Sequence, residues 1–353
     1  MKRETHISAR RWRTPGLRLL ALGLLAAVVR GETPRRGGLV LQFDDGWSAW
    51  RTLVAPELAR VGGRATGFVN NQYIHSGRVT LDDLRILQDE FGWEIGTHTY
   101  NHHNAVRHVQ VHGMQAWMEP QVTRALDELR AAGLNVRNLV FPFNAYTPEI
   151  AAAVRAQGIS SYRRADAFAI AEGLRPDGSL PGTSFDLSRH VPLDVLRQWV
   201  DMAHARGRLL FLYGHRILPD EAFATGRVAA VRPHSLVAEG GVVLPRDEDV
   251  VLVPDLARRG TTASIGGLTV AADARTIHTP ETSPDLTRLT APGATFLIGP
   301  AYGTRLSDFV SLIAYASERL DFYTVAEVVD GRHRPPASEP PRSAATQAKG
   351  APP

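Results

Sequence analysis

The sequence contains no cysteine and almost no lysine. Without a thiol, the chain can form no disulfide, no thiolate metal site, no cysteine nucleophile and no lipid-modified cysteine. The only lysines are Lys2 and Lys349, so nearly all of the positive charge is arginine, and the basic residues are concentrated near the N-terminus. A nucleic-acid-binding protein carries a basic face on its folded body. The net charge of +4 therefore does not indicate a nucleic-acid partner.

The N-terminal region has an apolar run that is too short to span a bilayer comfortably. This run covers residues 19–29 and follows the basic segment 2–18, which is the order found in a secretory signal peptide. No small-x-small cleavage site follows, because Arg30 and Glu32 intervene, so a cleaved signal and an uncleaved anchor both stay open. We expect residues 1–36 to be an export signal or N-terminal anchor plus linker. The protein would then be exported, and secreted, periplasmic or associated with the cell envelope, with membrane association through this segment only.

Strand-like and helical segments alternate from Gly38 to about residue 216. Repeated βα units of this length predict an α/β fold with a parallel sheet or barrel and helices outside. After residue 216 the pattern changes to short valine-rich segments separated by turn signals, which predicts a small all-β insertion. The predicted domains are the barrel over 37–216, the all-β insertion over 217–300, the last βα unit of the barrel over 301–330, and a proline-rich disordered tail over 331–353.

One predicted strand ends in two adjacent carboxylates. The run 39–43, apolar except for Gln42, leads into Asp44, Asp45 and Gly46, and the glycine allows the backbone to turn sharply. Two carboxylates at the end of a buried strand are costly to desolvate unless a positively charged group lies beside them. Neighbouring residues of a strand point to opposite faces, so the two acids can have different roles in one site. The alternative is an acidic turn, because Asp-Gly is a common turn dipeptide.

Histidines follow two other predicted strands. His98 and His102 come after the strand 93–96, and their spacing predicts that both imidazoles lie on one side of a helical turn. With a carboxylate they would form a three-ligand site for Zn²⁺ or another divalent first-row metal. The alternative is a surface loop in a region that is generally rich in histidine. His215 follows the strand 209–213, so three strands deliver ionisable side chains at their C-terminal ends, where α/β barrels place active sites.

These residues match the motifs of a family. The chain resembles the polysaccharide deacetylases of carbohydrate esterase family 4, which have the NodB homology domain. The family motifs [TS]-F-D-D-G, H-[ST]-x-x-H, R-x-P-[YF]-G and L-x-H correspond to residues 42–46, 98–102, 140–144 and 212–215. The resemblance covers about residues 37–216 and resumes at 306–328. It implies a distorted (β/α) barrel of the polysaccharide deacetylase type, with fewer than eight regular units.

The resemblance also implies roles for individual residues. Asp45, His98 and His102 would hold a divalent metal, with Zn²⁺ the first candidate. Asp44 would be the general base for the attacking water, and His215 would protonate the departing amine. The backbone N–H of Phe143 would help bind the oxyanion. The implied enzyme is a metal-dependent hydrolase of carbon–nitrogen bonds that removes N-acetyl groups from an extracellular or cell-wall polysaccharide. The alternatives are a hydrolase of O-acetyl sugars or non-sugar amides, and a non-catalytic glycan-binding relative.

The chain departs from the family in its third motif. Val140 stands where the family has an arginine near the base, and Asn144 stands where it has a glycine. The candidates to replace the missing charge are Arg163 and Arg189, and those to orient His215 are Asp166 and Asp186, although each is also interpretable as an ordinary salt-bridge residue. No equivalent of the fourth family motif is visible. Candidates for stacking on a sugar, each also interpretable as a core residue, are Trp47, Trp50, Tyr73 and Tyr146.

Overall fold

The computed structural model describes residues 36–247, 249–257 and 264–333. The predicted export segment, apart from its last residue, and the predicted tail from residue 334 onward lie outside the described residues. Within the described part of the chain, no helix combines the length and the apolar character needed to cross a bilayer.

A closed ring of seven parallel strands forms the centre of the fold. The first eight strands are β1 (Gly38–Asp45), β2 (Thr66–Val69), β3 (Glu94–Thr97), β4 (Asn138–Leu139), β5 (Ser161–Ala165), β6 (Ile170–Ala171), β7 (Ser179–Ser184) and β8 (Leu209–Gly214). The ring runs β1-β2-β3-β4-β5-β7-β8 and closes through the parallel pairing of β8 with β1. The short β6 pairs antiparallel with β8, and the late strand β17 (Asp321–Phe322) pairs parallel with β1. The predicted α/β class and distorted (β/α) barrel are confirmed.

Helices cover the outside of the ring. They are α1 (Ala55–Arg60), α2 (Asn71–His75), α3 (Leu81–Asp89), α4 (Ala105–His112), α5 (Met114–Met118), α6 (Arg124–Ala131), α7 (Pro148–Ala156), α8 (Leu193–Arg206), α9 (Leu306–Ser317) and α10 (Val325–Val329). Local sequence explains several of their starts. Thr80 caps α3 by accepting a hydrogen bond from the backbone N–H of Asp83, and Thr147 caps α7, where a proline occupies the first helical position.

The strands bury both of their faces, and the alternation of β1 determines where its acids lie. Leu41 and Phe43 belong to the apolar cluster between strands and helices, whereas Val40 belongs to the cluster inside the ring. Because side chains alternate along a strand, Asp44 points to the same side as Val40, into the barrel. The next residue, Asp45, is the last of the strand and lies at the carboxyl end of the ring.

An all-β insertion follows the barrel's last strand, as the sequence predicts. Its strands are β9 (Arg216–Leu218), β10 (Ala224–Arg232), β11 (Ser235–Ala238), β12 (Val250–Val253), β13 (Thr269–Val270), β14 (Thr276–His278), β15 (Thr295–Pro300) and β16 (Gly303–Arg305). Six of them form one antiparallel sheet in the order β12-β15-β10-β11-β14-β13, with its own apolar core around Leu236 and Phe296. β9 and β16 pair with each other where the chain leaves and re-enters the barrel. The exact domain boundaries given above stay a prediction.

Candidate active site

The two carboxylates of β1 lie at a sharp turn that needs a glycine. Asp45 has a φ of 80° and Gly46 a φ of 106°, so the chain passes through two consecutive left-handed residues. A Cβ added to Gly46 would lie 2.8 Å from a methyl carbon of Val69 and 2.9 Å from one of Val79. Backbone strain of this kind is concentrated at functional sites, because it persists only where the surroundings enforce it. The turn separates Asp44, inside the barrel, from Asp45 at its mouth.

His98 and His102 meet through a loop, so the predicted helical turn was wrong. No helix covers residues 98–102, and Thr99 and His102 have φ angles of 65° and 56°. These two left-handed residues bend the chain so that the Nε2 atoms of the imidazoles lie 3.2 Å apart. His98 is fixed further by its Nδ1, which donates to the carbonyl oxygen of Val140 at 2.8 Å. That bond requires the proton on Nδ1 and leaves the lone pair of Nε2 directed at the site.

Asp45, His98 and His102 form a cluster that fits a divalent metal. Oδ1 of Asp45 lies 3.6 Å from Nε2 of His98 and 3.5 Å from Nε2 of His102, and the three donor atoms lie within 4.8 Å of one another. Oδ1 of Asp45 is buried without a hydrogen-bond partner among the described residues. Two imidazole nitrogens and one carboxylate oxygen are a three-ligand set that Zn²⁺ accepts while positions stay open for water and substrate. The residues present therefore fit the metal that the resemblance implies.

The protonation states of the cluster also suit a metal. Burial lowers the pKa of His98 to about 4, and burial together with the neighbouring His98 lowers the pKa of His102 to about 4. Both imidazoles are thus neutral at ordinary pH, as ligation requires. Burial raises the pKa of Asp45 above its usual value of 3.8. A carboxylate in this position gains most from a nearby cation.

Asp44 is held by a buried arginine from the opposite part of the ring. Arg163 on β5 donates two hydrogen bonds to it, from Nη1 to Oδ1 at 2.8 Å and from Nη2 to Oδ2. The guanidinium also lies over the ring of Tyr213 on β8, 3.7 Å from its centroid. Burial alone would raise the pKa of Asp44, but Arg163 brings it down to about 2. Of the two arginine candidates, the structure brings Arg163 to Asp44 and leaves Arg189 in the turn after Asp186.

Asp186 orients His215. Nδ1 of His215 donates to Oδ2 of Asp186 at 2.8 Å, and its backbone N–H donates to Oδ1 at 3.0 Å. Nε2 of the same ring lies 4.0 Å from Oδ2 of Asp44. Burial alone would lower the pKa of His215, but Asp186, with Asp44 and Asp45, raises it to about 9. The other candidate, Asp166, instead pairs with arginines outside the site.

Phe143 and Tyr302 border the cluster with aromatic rings. Phe143 has a φ of 59°, and its ring centroid lies 4.8 Å from that of His102. The ring of Tyr302 lies 5.0 Å from that of His215. Tyr302 follows the strand β15 of the insertion, 87 positions after His215, and no motif in the sequence marks it. Sequence reasoning missed it because contact between the insertion and the barrel cannot be derived from local patterns.

The closed parallel barrel thus carries an Asp-His-His cluster at the carboxyl ends of its strands, where α/β barrels place active sites. Residues 31–162 match the family model described as polysaccharide deacetylase. The match confirms the resemblance predicted from the motifs. It includes Asp44, Asp45, His98 and His102 and ends one residue before Arg163.

Several solved structures are similar to the chain. A family 4 carbohydrate esterase from Streptomyces lividans has 20% identity, with 51% of this chain and 79% of that chain covered and a TM-score of 0.37. The peptidoglycan deacetylase PdaC from Bacillus subtilis has 17% identity, coverage of 52% and 77%, and a TM-score of 0.37. A family 4 pseudoenzyme from Bacillus anthracis has 14% identity, coverage of 51% and 56%, and a TM-score of 0.35. No curated protein matches the chain. Similarity at this level does not assign a substrate, so we infer the function from the site.

Proposed function

We propose that the protein is a metal-dependent deacetylase that hydrolyses N-acetyl groups of an extracellular or cell-wall polysaccharide. One observation carries the proposal: a metal-ligand set, an ionised carboxylate and a protonated imidazole meet at one end of the barrel. The three ligands are Asp45, His98 and His102. Asp44 and His215 lie beside them, with 4.0 Å between their facing atoms. Nucleophile activation, carbonyl polarisation and leaving-group protonation are the functions that amide hydrolysis needs.

A divalent ion held by the three ligands would lower the pKa of water and polarise the acetyl carbonyl. Asp44 would take the proton of the attacking water, since Arg163 keeps its carboxylate ionised and fixed in direction. His215 would donate the proton on Nε2 to the departing nitrogen, while its Nδ1–H stays hydrogen-bonded to Asp186. With a pKa of about 9, His215 carries that proton at neutral pH. The backbone N–H of Phe143 would bind the oxyanion.

The alternatives differ from this proposal in substrate or in the absence of turnover. A hydrolase of O-acetyl sugars or of non-sugar amides could use the same residues, because an Asp-His-His site does not determine the acyl substrate. A non-catalytic glycan-binding relative would have no need for the ionised Asp44 or for the hydrogen bond between Asp186 and His215. We therefore place hydrolysis first. Export is supported by the sequence of residues 1–30 alone.

The experiment combines acetate release with metal analysis. Acetate is measured after incubation with chitin oligosaccharides, peptidoglycan, an acetylated exopolysaccharide and acetylated xylan, and non-sugar amides serve as the comparison. Asp44→Asn should keep its metal and lose about 10²–10⁴-fold in turnover, as expected for a positioned acid–base group. Asp45→Asn should lose metal, and excess metal should restore part of its activity. Asp82→Asn, on the exposed surface of α3, is the matched control.

One result would contradict the assigned roles of Asp44 and Asp45, and another would overturn the proposal. If Asp44→Asn loses metal and Asp45→Asn does not, the two roles are exchanged. If neither substitution reduces acetate release, the two residues form only an acidic turn.

A further inference from the structure

Exposed aromatic rings are rare in the described part of the chain, and two of them lie at the site. The large aromatic side chains that are exposed are Phe143 at 66%, Tyr302 at 50% and Phe168 at 42%. Phe143 and Tyr302 each contact a histidine of the site, whereas Phe168 packs against Trp199 of α8. Two solvent-exposed rings beside a polar cluster expose apolar surface to water at a cost.

The other aromatic residues near the barrel mouth pack against neighbouring side chains. The guanidinium carbon of Arg78 lies 4.9 Å from the ring centroid of Trp47 and 4.2 Å from that of Tyr73. Trp50 is fully buried, and its Nε1 donates to the carbonyl oxygen of His215. Tyr146 packs against the rings of two neighbours in the barrel wall. The candidates for sugar stacking that the sequence indicates are therefore occupied within the fold.

Tyr302 is held in place by backbone hydrogen bonds on both sides. The backbone N–H of Arg216, the residue after His215, donates to the carbonyl oxygen of Tyr302 at 3.2 Å. The backbone N–H of Ser188, two residues after Asp186, donates to the carbonyl oxygen of Ala301 at 2.8 Å. Gly303 begins β16, which pairs with β9 directly beyond the site histidine. The ring is thus presented on a backbone that is already ordered, and this reduces the entropy lost when a ligand binds.

Phe143 lies on the other side of the barrel mouth. It follows β4, whereas Tyr302 lies beside His215 at the end of β8, and these two strands lie across the closed ring from each other. The metal-ligand set and Asp44 lie between them. A chain-like ligand with its reacting group at the cluster would extend past both rings.

We propose that Tyr302, supplied by the β insertion, forms with Phe143 a pair of stacking platforms for the pyranose rings that flank the reacting unit of a glycan. This inference rests on the proposed function and assigns the insertion a part in substrate binding. The C–H faces of a pyranose are apolar, whereas its edges carry hydroxyls, so an exposed aromatic ring suits its face. Ligand sites combine such apolar platforms with a few convergent polar groups.

Binding without turnover tests the inference. In the Asp44→Asn background, affinity for N-acetylglucosamine hexamer, acetylated xylan fragments and peptidoglycan fragments is measured by titration calorimetry. Tyr302→Ala should weaken binding of the preferred glycan about two- to tenfold, the range of a single aromatic contact. Tyr302→Phe, which keeps the ring, should bind as the background does. Phe168→Ala removes an exposed ring outside the site and should also leave affinity unchanged.

Each outcome bears on a different claim. In the otherwise unsubstituted enzyme, Tyr302→Ala should raise KM on the polymer and leave kcat close to its original value. If Tyr302→Ala binds as tightly as the background, the stacking role is wrong while the proposed function stands. If Tyr302→Phe is as weak as Tyr302→Ala, the hydroxyl acts in place of the ring, and the inference also fails. If no glycan binds the Asp44→Asn background and none releases acetate with the unsubstituted enzyme, the proposed function itself fails.

Discussion

Replacing Arg163 with glutamine should strongly destabilise the fold, because it leaves the carboxylate of Asp44 buried without its partner. The two side chains are only 2% and 3% exposed, and two hydrogen bonds join them. Removing one partner of a buried ion pair typically costs about 3–5 kcal/mol. Natural domains have unfolding free energies of about 5–15 kcal/mol. Arg163→Gln should therefore remove a large share of the total.

The pKa of Asp44 gives a second readout. Burial alone raises this pKa, and Arg163 holds it at about 2 against a usual value of 3.8. A carboxylate whose folded pKa is lowered contributes stability above its unfolded pKa and loses that contribution as pH falls through the folded value. The stability difference between the wild type and Arg163→Gln should thus be largest at high pH. It should shrink as pH falls through the raised pKa of Asp44 in the variant, and shrink further from about pH 4 toward 2, where the wild type loses its own contribution. The acidic limb of the kcat/KM profile should move to higher pH in the variant, because burial then dominates.

Urea unfolding measures the first effect, and a neighbouring arginine supplies the control. Arg164 is 53% exposed and lies 3.5 Å from Asp166, so Arg164→Gln should cost about 0–1 kcal/mol. The double variant Asp44→Asn/Arg163→Gln should be more stable than Arg163→Gln, because it leaves no buried carboxylate without a charged partner. The reasoning is refuted if Arg163→Gln unfolds at the same urea concentration as Arg164→Gln. It is equally refuted if the double variant recovers nothing.

Two further predictions concern the histidines. Asp186→Asn should lower the pKa of His215 from about 9, because it removes the carboxylate that accepts the hydrogen bond from Nδ1. The basic limb of the pH–rate profile should therefore move to lower pH. An unchanged limb would contradict the role of Asp186 in keeping His215 protonated. Metal affinity, measured by competition with a chelator, should fall as the solution is acidified, because Asp45, whose pKa burial raises, takes a proton and His98 and His102 take theirs at about pH 4. Each competing proton contributes about tenfold per pH unit, so the fall should approach about a thousandfold per pH unit where all three ligands are protonated. A fall steeper than about tenfold per pH unit near pH 6.5 would show that burial does not control these imidazoles.

Much of the site could be predicted because contiguous motifs at strand ends encode it. Asp44, Asp45, His98, His102 and His215 all lie at or just after the ends of segments that have the length of strands. The carboxyl ends of parallel strands meet at one edge, so these side chains could be expected to converge without any knowledge of the helices. The structure brings them together.

The charged partners could not be selected in the same way. Arg163 and Arg164 are neighbours on β5, and alternation sends one into the barrel and the other outward. The sequence does not show which of the two faces inward, because that depends on how β5 aligns with its neighbours. The same limit applies to Asp166 and Asp186. Each lies near the end of a strand, and only the closed ring places Asp186 against His215.

The backbone conformation of residues 98–102 could not be predicted either. The spacing of His98 and His102 suits a helix, and two imidazoles four residues apart would share one side of it. In the structure, left-handed conformations at Thr99 and His102 produce the same proximity within a loop. Neither residue is a glycine, so composition gives no signal for such a conformation. The proximity was predicted correctly and its mechanism was not.

The pairing of charges at the site indicates where a cation belongs. Three carboxylates are buried there: Asp44 is matched by Arg163, and Asp186 by the protonated His215. Asp45 has only the two neutral imidazoles beside its Oδ1. A buried carboxylate without a cation is destabilising, and burial accordingly raises the pKa of Asp45. The site thus has one negative charge more than its side chains compensate, at the atom where a metal would bind.

Asp45→Asn should therefore stabilise the metal-free protein, by about 1–3 kcal/mol at neutral pH. Asparagine tolerates the left-handed φ of this position, so the backbone should add little cost. A folded pKa above 3.8 means that wild-type stability falls as pH rises through this pKa. The advantage of Asp45→Asn should thus vanish below about pH 4 and grow toward neutrality. Asp44→Asn, which leaves the buried guanidinium of Arg163 without its carboxylate partner, should destabilise the metal-free protein under the same conditions. Urea unfolding in the presence of a chelator compares the two. If Asp45→Asn is the less stable variant at neutral pH, Asp45 is compensated within the fold and the charge argument for a metal at this position is wrong.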